Sequence, residues 1–310
     1  MDEFSVKRSP LLLFLGVCFF LAGRGPAQSR PFFDTFGYSW HTRPGVILPR
    51  TGAVLGATSP NGAWDKVIWA KGKRWPTVDY LAENADTDLS GGGSRLVLSV
   101  TPPPAQGKPA GGAEIIHKIP RGFGSYRARF KASPGTWNGT IYSPGVCNGF
   151  YVISDQVEID MEFLSIQQGR PAGTGQLEIV IHDYTFIKGN RLSYHKAIPI
   201  PWFDPSKDFH EYGFDWYPGY VNFYVDGRMV HQVKSGVRGW INVSPWWGPI
   251  SLPGAGNVHP GTLRLNNWTD LLGWCGPPPA KRMDFVVDWV TWSPLYFLGS
   301  GNQVSASQEI

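Results

Sequence analysis

Seven residues near the middle of the chain, Val157-Glu-Ile-Asp-Met-Glu-Phe163, alternate strictly between apolar and acidic side chains. A helix would scatter such a set around its axis, whereas a strand sends successive side chains to opposite faces. Val157, Ile159, Met161 and Phe163 then point to a core, and Glu158, Asp160 and Glu162 to the other face. A strand with one greasy and one charged face belongs to a sheet packed on one side only. Three carboxylates in a row repel one another, and at least one should hold its proton unusually tightly. Such a row has little structural use, which makes it a candidate for chemistry. Four residues of strand separate the Cα atoms of Glu158 and Glu162 by about 13 Å. If both side chains lean inward over a curved sheet, their carboxyl groups come within about 5 Å, close to the separation used in retaining glycoside hydrolysis. On the strand alone two other readings stay open: a solvated acidic strand, or a site for a hard cation.

The rest of the chain carries the same period. Arg95–Val100, Ser125–Phe130, Gln176–His182, His210–Trp216, Tyr220–Val225, Thr262–Asn266 and Phe285–Trp292 all alternate and are bounded by Gly, Pro, Asn or Asp. Asp226-Gly227, between two such runs, predicts a two-residue hairpin. With 38 Gly, 27 Pro and only 17% charged residues, the composition favours turns and strands over helices. The expectation is an all-β chain, an antiparallel sandwich or barrel. Thr101–Gly112 and Ser244–Gly261, rich in Pro and Gly, are expected as long surface loops. No internal repeat occurs. A single domain is expected over residues 28–298, followed by a loose polar tail at 299–310.

Lys7 and Arg8 precede an apolar run from Leu11 to Ala22, with small residues after it. That order predicts a secretory signal over residues 1–27, cleaved after Ala27. A lipoprotein signal using Cys18 is the competing reading. The mature chain would keep Cys147 and Cys275, and export would permit but not require a disulfide between them. The Lys and Arg residues are scattered and the net charge is only +4, which argues against nucleic-acid binding. Sequons begin at Asn138, Asn242 and Asn267. The 14 Trp are mostly core material, though some can stack on sugar rings.

Several segments, in order, resemble glycoside hydrolase family 16. Glu158-Ile-Asp-Met-Glu-Phe-Leu resembles the family's E-I-D-x-E-F-L strand, with the regular spacing of its lichenase and xyloglucan transglycosylase branches. Gly124-Ser-Tyr-Arg-Ala-Arg-Phe-Lys-Ala resembles the strand before it. Tyr212 to Gly227 resembles a run ending in Y-V-D-G, Leu265-Asn-Asn-Trp268 an M-N-L-W strand, and Asp288-Trp-Val the C-terminal D-W-V. The matches span roughly residues 95 to 292.

The resemblance implies a β-jelly-roll sandwich of the concanavalin-like type, with a concave substrate cleft. It implies Glu158 as nucleophile, Glu162 as general acid/base and Asp160 between them. It places Trp216, Asn266 and Trp268 as substrate-binding residues, with core packing as the alternative for each; Trp137, just before the catalytic strand, and His182, beside the carboxylate row, are further candidates, with a structural role as the alternative for His182. His182 stands where the lichenase branch carries Asn. It also suggests a structural calcium with Asp288 among its ligands, and no cofactor for catalysis. The expected activity is endo-acting, retaining hydrolysis of β-1,3-1,4-, β-1,4- or β-1,3-glucan. Transglycosylation on the same polysaccharides and a lectin-like binding protein are the alternatives. The expected partner is the polysaccharide, with no nucleic acid, no membrane once the signal is removed, and a secreted or periplasmic monomer.

Overall fold

The computed structural model describes residues 31–38, 41–47, 54–68, 78–89, 93–106, 108–134, 145–164, 176–187, 190–241, 244–269, 279–298 and 302–304. The predicted signal, Trp137, Asn138, Asn242 and Cys275 lie outside the described residues. Among the described residues the regular structure is strand apart from one short 3-10 turn at Ala82–Asn84. No helix among them is long and apolar enough to cross a membrane.

Two large sheets face one another as a jelly-roll sandwich. The smaller runs in the order Arg228–Lys234, Tyr220–Val225, His210–Tyr217, Gly124–Lys131, Met283–Ser293, Arg95–Val100 and Ala85–Asp88, with Phe32–Asp34 added beside Met283–Ser293. The larger runs from Ser244–Pro249 through Arg238–Ile241, Asn190–Pro199, Gln176–Ile187, Val157–Leu164, Cys147–Ile153, Thr262–Trp268 and Ala110–His117 to Trp64–Ile68, Val54–Thr58 and His41–Ile47. Pairing is antiparallel except where Val78–Tyr80 runs parallel to Ala110–Gly112.

The alternation read from the sequence decides which side chains meet between the sheets. Val157, Ile159, Met161 and Phe163 are all buried in the main core. Phe163 meets Phe130 and Tyr212 of the facing sheet, with ring centroids 5.7 and 4.9 Å apart, and Phe150 meets Phe214 at 5.6 Å. Each such ring stabilises the sandwich by about 1.5–3 kcal/mol relative to leaving it exposed. One polar group also joins the sheets. Asn267, fully buried, donates from Nδ2 to the carbonyls of Leu98 and Met283 and to Oγ of Ser133. Its Oδ1 accepts from Nδ2 of Asn148.

The Asp226-Gly227 turn has φ values of 48° and 73°, the left-handed pair that a two-residue hairpin needs. Three expectations need correction. The end of the Thr101–Gly112 segment, expected as loop, is strand from Ala110 onward. Ser244–Pro249, expected as part of a loop, is a strand on the edge of the larger sheet, where Pro245 and Pro249 need not donate to a ladder. Asn302–Val304, expected in a loose tail, pairs with Tyr296–Leu298.

Candidate active site

The outward side of the Val157–Leu164 strand carries the acidic row. Registers across the neighbouring strands place each carboxylate in a line of side chains. Glu158 is flanked by Ile153 on one side and His182 on the other. Asp160 is flanked by Tyr151 and Val180, and Glu162 by Gly149 and Glu178. One strand further out, Arg264 lies beside Tyr151 and Asn266 beside Gly149, while Ser193, His195 and Ala197 follow His182, Val180 and Glu178. Glu158 and Glu162 are half-buried, and Asp160 is nearly covered at 4% exposure.

Each carboxylate has distinct company. Tyr184 donates its hydroxyl hydrogen to Oε2 of Glu158. Burial and the adjacent Glu158 charge push the Tyr184 phenol well above its usual range, so it remains a donor. Asp160 Oδ2 lies 3.8 Å from Nε2 of His182, whose Nδ1 is 2.7 Å from Oγ of Ser193. The thiol of Cys147 reaches Oε1 of Glu162 at 3.7 Å. Burial first, then the charges of Glu158 and Glu178, raise Glu162 to about 8, against smaller opposing effects of Cys147 and Arg191. Two carboxyl groups on one face therefore have different surroundings: Glu158 accepts from Tyr184, while burial and like charges push Glu162 up.

A second, buried network borders the row. Glu114 Oε1 accepts from Nη1 of Arg264 at 3.0 Å and from the Tyr151 hydroxyl at 2.5 Å. Burial works against the Arg264 charge, but Glu114 and Tyr151 outweigh it and raise the guanidinium above its usual range. Nδ2 of Asn266 lies 3.4 Å from the Tyr151 hydroxyl, and its Oδ1 is buried with no hydrogen-bond partner among the described residues. Gly149 leaves the space Asn266 uses: a Cβ there would sit 2.4 Å from that Oδ1.

The expected site residues divide. Glu158, Asp160, Glu162, His182 and Asn266 come together on one face. Trp268 lies on the same face but is only 6% exposed, packed with Cys147, Leu164 and Ile116. It is a wall of the row and not an open stacking platform. Trp216 does not belong to the site. It is fully buried between the sheets, edge-on to Phe123, because its strand turns Tyr212, Phe214 and Trp216 to the core together. Asp288 sits in the smaller sheet, at a register shift, with its carboxylate in an ion pair with Arg129. Among the described residues no group of three or more His, Cys, Asp or Glu side chains is set to hold a metal ion.

Tyr184, Glu178, Glu114 and Arg264 were not singled out in the sequence. Tyr184 and Glu178 share the face of His182 by simple period 2. Glu114 and Arg264 lie 150 residues apart and carry no local signature of their pairing.

A two-sheet sandwich with an acidic row on the outer face of one sheet defines a protein with a carboxylate-centred site. The profile of Glycosyl hydrolases family 16 matches residues 83–251, and the chain belongs to that family. It is 26% identical over 211 residues to a beta-glucanase of Acetivibrio thermocellus, covering 66% of this chain and 50% of that protein. It is 32% identical over 134 residues to xyloglucan endotransglucosylase/hydrolase protein 2 of Arabidopsis thaliana, covering 42% of this chain and 41% of that one. The chain thus spans about half the length, or less, of these curated relatives. In fold it is similar to a β-1,3-1,4-glucanase (lichenase) from a mouse hindgut metagenome, with a TM-score of 0.57 and 24% identity, covering 86% of this chain and 100% of that one.

Proposed function

We propose that this chain is an exported, endo-acting β-glucan hydrolase that retains anomeric configuration. The observation that carries the proposal is the pairing of Glu158 with Glu162, four residues apart along one strand and on the same face, with Glu162 raised to about 8. Glu162 then enters the reaction protonated at neutral pH. Its proton passes to the glycosidic oxygen as that bond to the anomeric carbon breaks, while a Glu158 oxygen forms a bond to the same carbon. Tyr184, donating to Oε2 of Glu158, fixes the attacking carboxylate in place. Once Glu158 is an ester its negative charge is gone, and Glu162 loses one of the influences that raised it. As a carboxylate it accepts a proton from water. The water oxygen bonds to the anomeric carbon, the ester bond breaks, and Glu158 is restored. His182 and Asp160 hold the middle of the row between the two steps.

Family membership and the similarity to proteins named as beta-glucanases support this substrate class. Export rests on the Lys7–Ala27 segment. The test is reducing-sugar release from barley β-glucan, laminarin, xyloglucan and carboxymethylcellulose. Product by at least one of these is expected, and none by any would sink the proposal. Similarity to a xyloglucan endotransglucosylase/hydrolase favours a second reading, in which a sugar hydroxyl replaces water. Product sizing with an added oligosaccharide acceptor separates the two, since transfer lengthens the acceptor. A non-catalytic lectin has no use for the raised Glu162.

A further inference from the structure

The polar network beside the acidic row has two open ends. Arg264 donates from Nε to Oγ1 of Thr262 at 3.1 Å and from Nη1 to Oε1 of Glu114 at 3.0 Å. A guanidinium carries its donors in a rigid fork, and the second arm of this one, Nη2, meets no acceptor among the described residues. The side chain keeps 8% exposure, so that arm is not sealed in. At the other end, Oδ1 of Asn266 is buried without a hydrogen-bond partner. A buried acceptor left in that condition is costly.

The two open atoms share a face with the catalytic pair. Leu263 and Leu265 point into the core, so Arg264 and Asn266 point outward from the same strand. Residues two apart on a strand face are separated by about 7 Å. Arg264 lies beside Tyr151, and Tyr151 beside Asp160. Two strand spacings, about 9–10 Å, therefore separate Arg264 from the middle of the row. Packing does not require an arginine here. Its neighbour across the far strand pair is Ile116, buried and apolar, and a buried ion pair can often be exchanged for apolar side chains without loss of stability.

We infer that Arg264 is a substrate-binding residue, whose Nη2 donates to a hydroxyl oxygen of a β-glucan unit beyond the one attacked, while Oδ1 of Asn266 accepts from a hydroxyl of the same chain. The inference deepens the hydrolase reading above and rests on it for the choice of sugar. Family resemblance pointed to Asn266 but not to Arg264. A sugar hydroxyl both donates and accepts, so one glucan chain can satisfy an open donor and an open acceptor side by side. Glu114 and Thr262 hold the guanidinium by its other nitrogens, so the free arm is aimed before substrate arrives. Such a contact lies away from the bond being cleaved, and it favours chains that extend past that bond.

The test uses the full chain carrying Glu158→Gln, so that bound sugar is not consumed, with nitrogen-15-labelled arginine. Cellotetraose, laminaritetraose and a mixed-linkage β-glucan tetrasaccharide are titrated by calorimetry. At least one is expected to bind. Arg264→Lys keeps a cation facing Glu114 but loses the fork, and should raise the Kd of that sugar about tenfold. The guanidinium signals of Arg264, identified as those missing from Arg264→Lys, should shift as the sugar saturates the protein. Binding of none of the three, an unchanged Kd, or a raised Kd with unmoved Arg264 signals overturns the inference; the last is the result a purely structural arginine gives. If Arg264→Lys does not fold, Arg264→Gln combined with Glu114→Gln replaces the ion pair by an amide pair and carries the same two readouts. Weaker binding on substitution, with shifted signals, in a protein whose parent releases no reducing sugar from any glucan would uphold the sugar contact but overturn the hydrolase reading beneath it.

Discussion

The phenolic oxygen of Tyr184 stands on the strand beside Glu158 and donates its hydrogen to Oε2 of that carboxylate. A hydrogen bond to an ionised acceptor contributes about 1.5–3 kcal/mol. If it orients the attacking oxygen, Tyr184→Phe should lower kcat roughly 10- to 100-fold, with a smaller effect on KM. Steady-state kinetics on a soluble β-glucan checks this. An equal rise in KM with kcat unchanged would place Tyr184 in substrate binding instead.

Replacing either member of the catalytic pair should remove most activity and leave the fold intact. Glu162→Gln is expected to lower kcat about 10²–10⁴-fold on substrates with poor leaving groups. Glu158→Gln should be at least as severe, because no ester can form. Both side chains point away from the core, so circular dichroism should stay close to the parent. Near-normal hydrolysis by either variant would rule out the assignment.

Stability should also respond to Glu162. Its native carboxyl titrates near 8 against 4.5 for an ordinary glutamate. Between those values the native state keeps a proton that the unfolded chain has released. Unfolding free energy from this group therefore falls as pH rises from about 4.5 to about 8, and is flat above. Urea unfolding at pH 5 and pH 8.5 should show a smaller pH difference for Glu162→Gln than for the parent. An identical difference in the two proteins would show that Glu162 is not raised.

Gly149→Ala tests how the space around Glu162 is apportioned. The added methyl would sit 2.4 Å from Oδ1 of Asn266, so the amide must move. Activity should drop by about tenfold or more, as expected for misplacing a group in a catalytic site by near 1 Å. Gly149→Ala with parental kinetics would show that Asn266 has no positional role.

The two tryptophans should separate by phenotype. Trp216→Ala opens the core and should cost about 3–5 kcal/mol of stability, whatever the substrate. Trp268→Phe should keep most stability and change KM for the glucan. A Trp216 variant with parental melting and altered KM would contradict its place in the core.

Much of this was legible in the chain because the signals were local. The alternation around Glu158 gave both the core face and the acidic face, and Asp226-Gly227 gave its hairpin. What escaped was decided by register between strands distant in sequence. Nothing near Glu114 announces Arg264, and nothing near Glu162 announces Glu178. Trp216 was misplaced although its own strand held the answer, since Tyr212 and Phe214 share its face. The prolines of Ser244–Pro249 suggested a loop because local rules do not know where a sheet ends.

The amide that ties the two sheets together is also the acceptor atom of an Asn-Trp-Thr sequon at 267–269. A glycan on Nδ2 would take a hydrogen from the atom that bonds Leu98 and Met283, and would need room where none of the side chain is exposed. In a host whose secretory pathway modifies nascent chains, sugar at this position and closure of the sandwich are mutually exclusive. The protein made there should divide into an unmodified folded fraction and a modified fraction that quality control retains. A bacterial host without that machinery avoids the conflict.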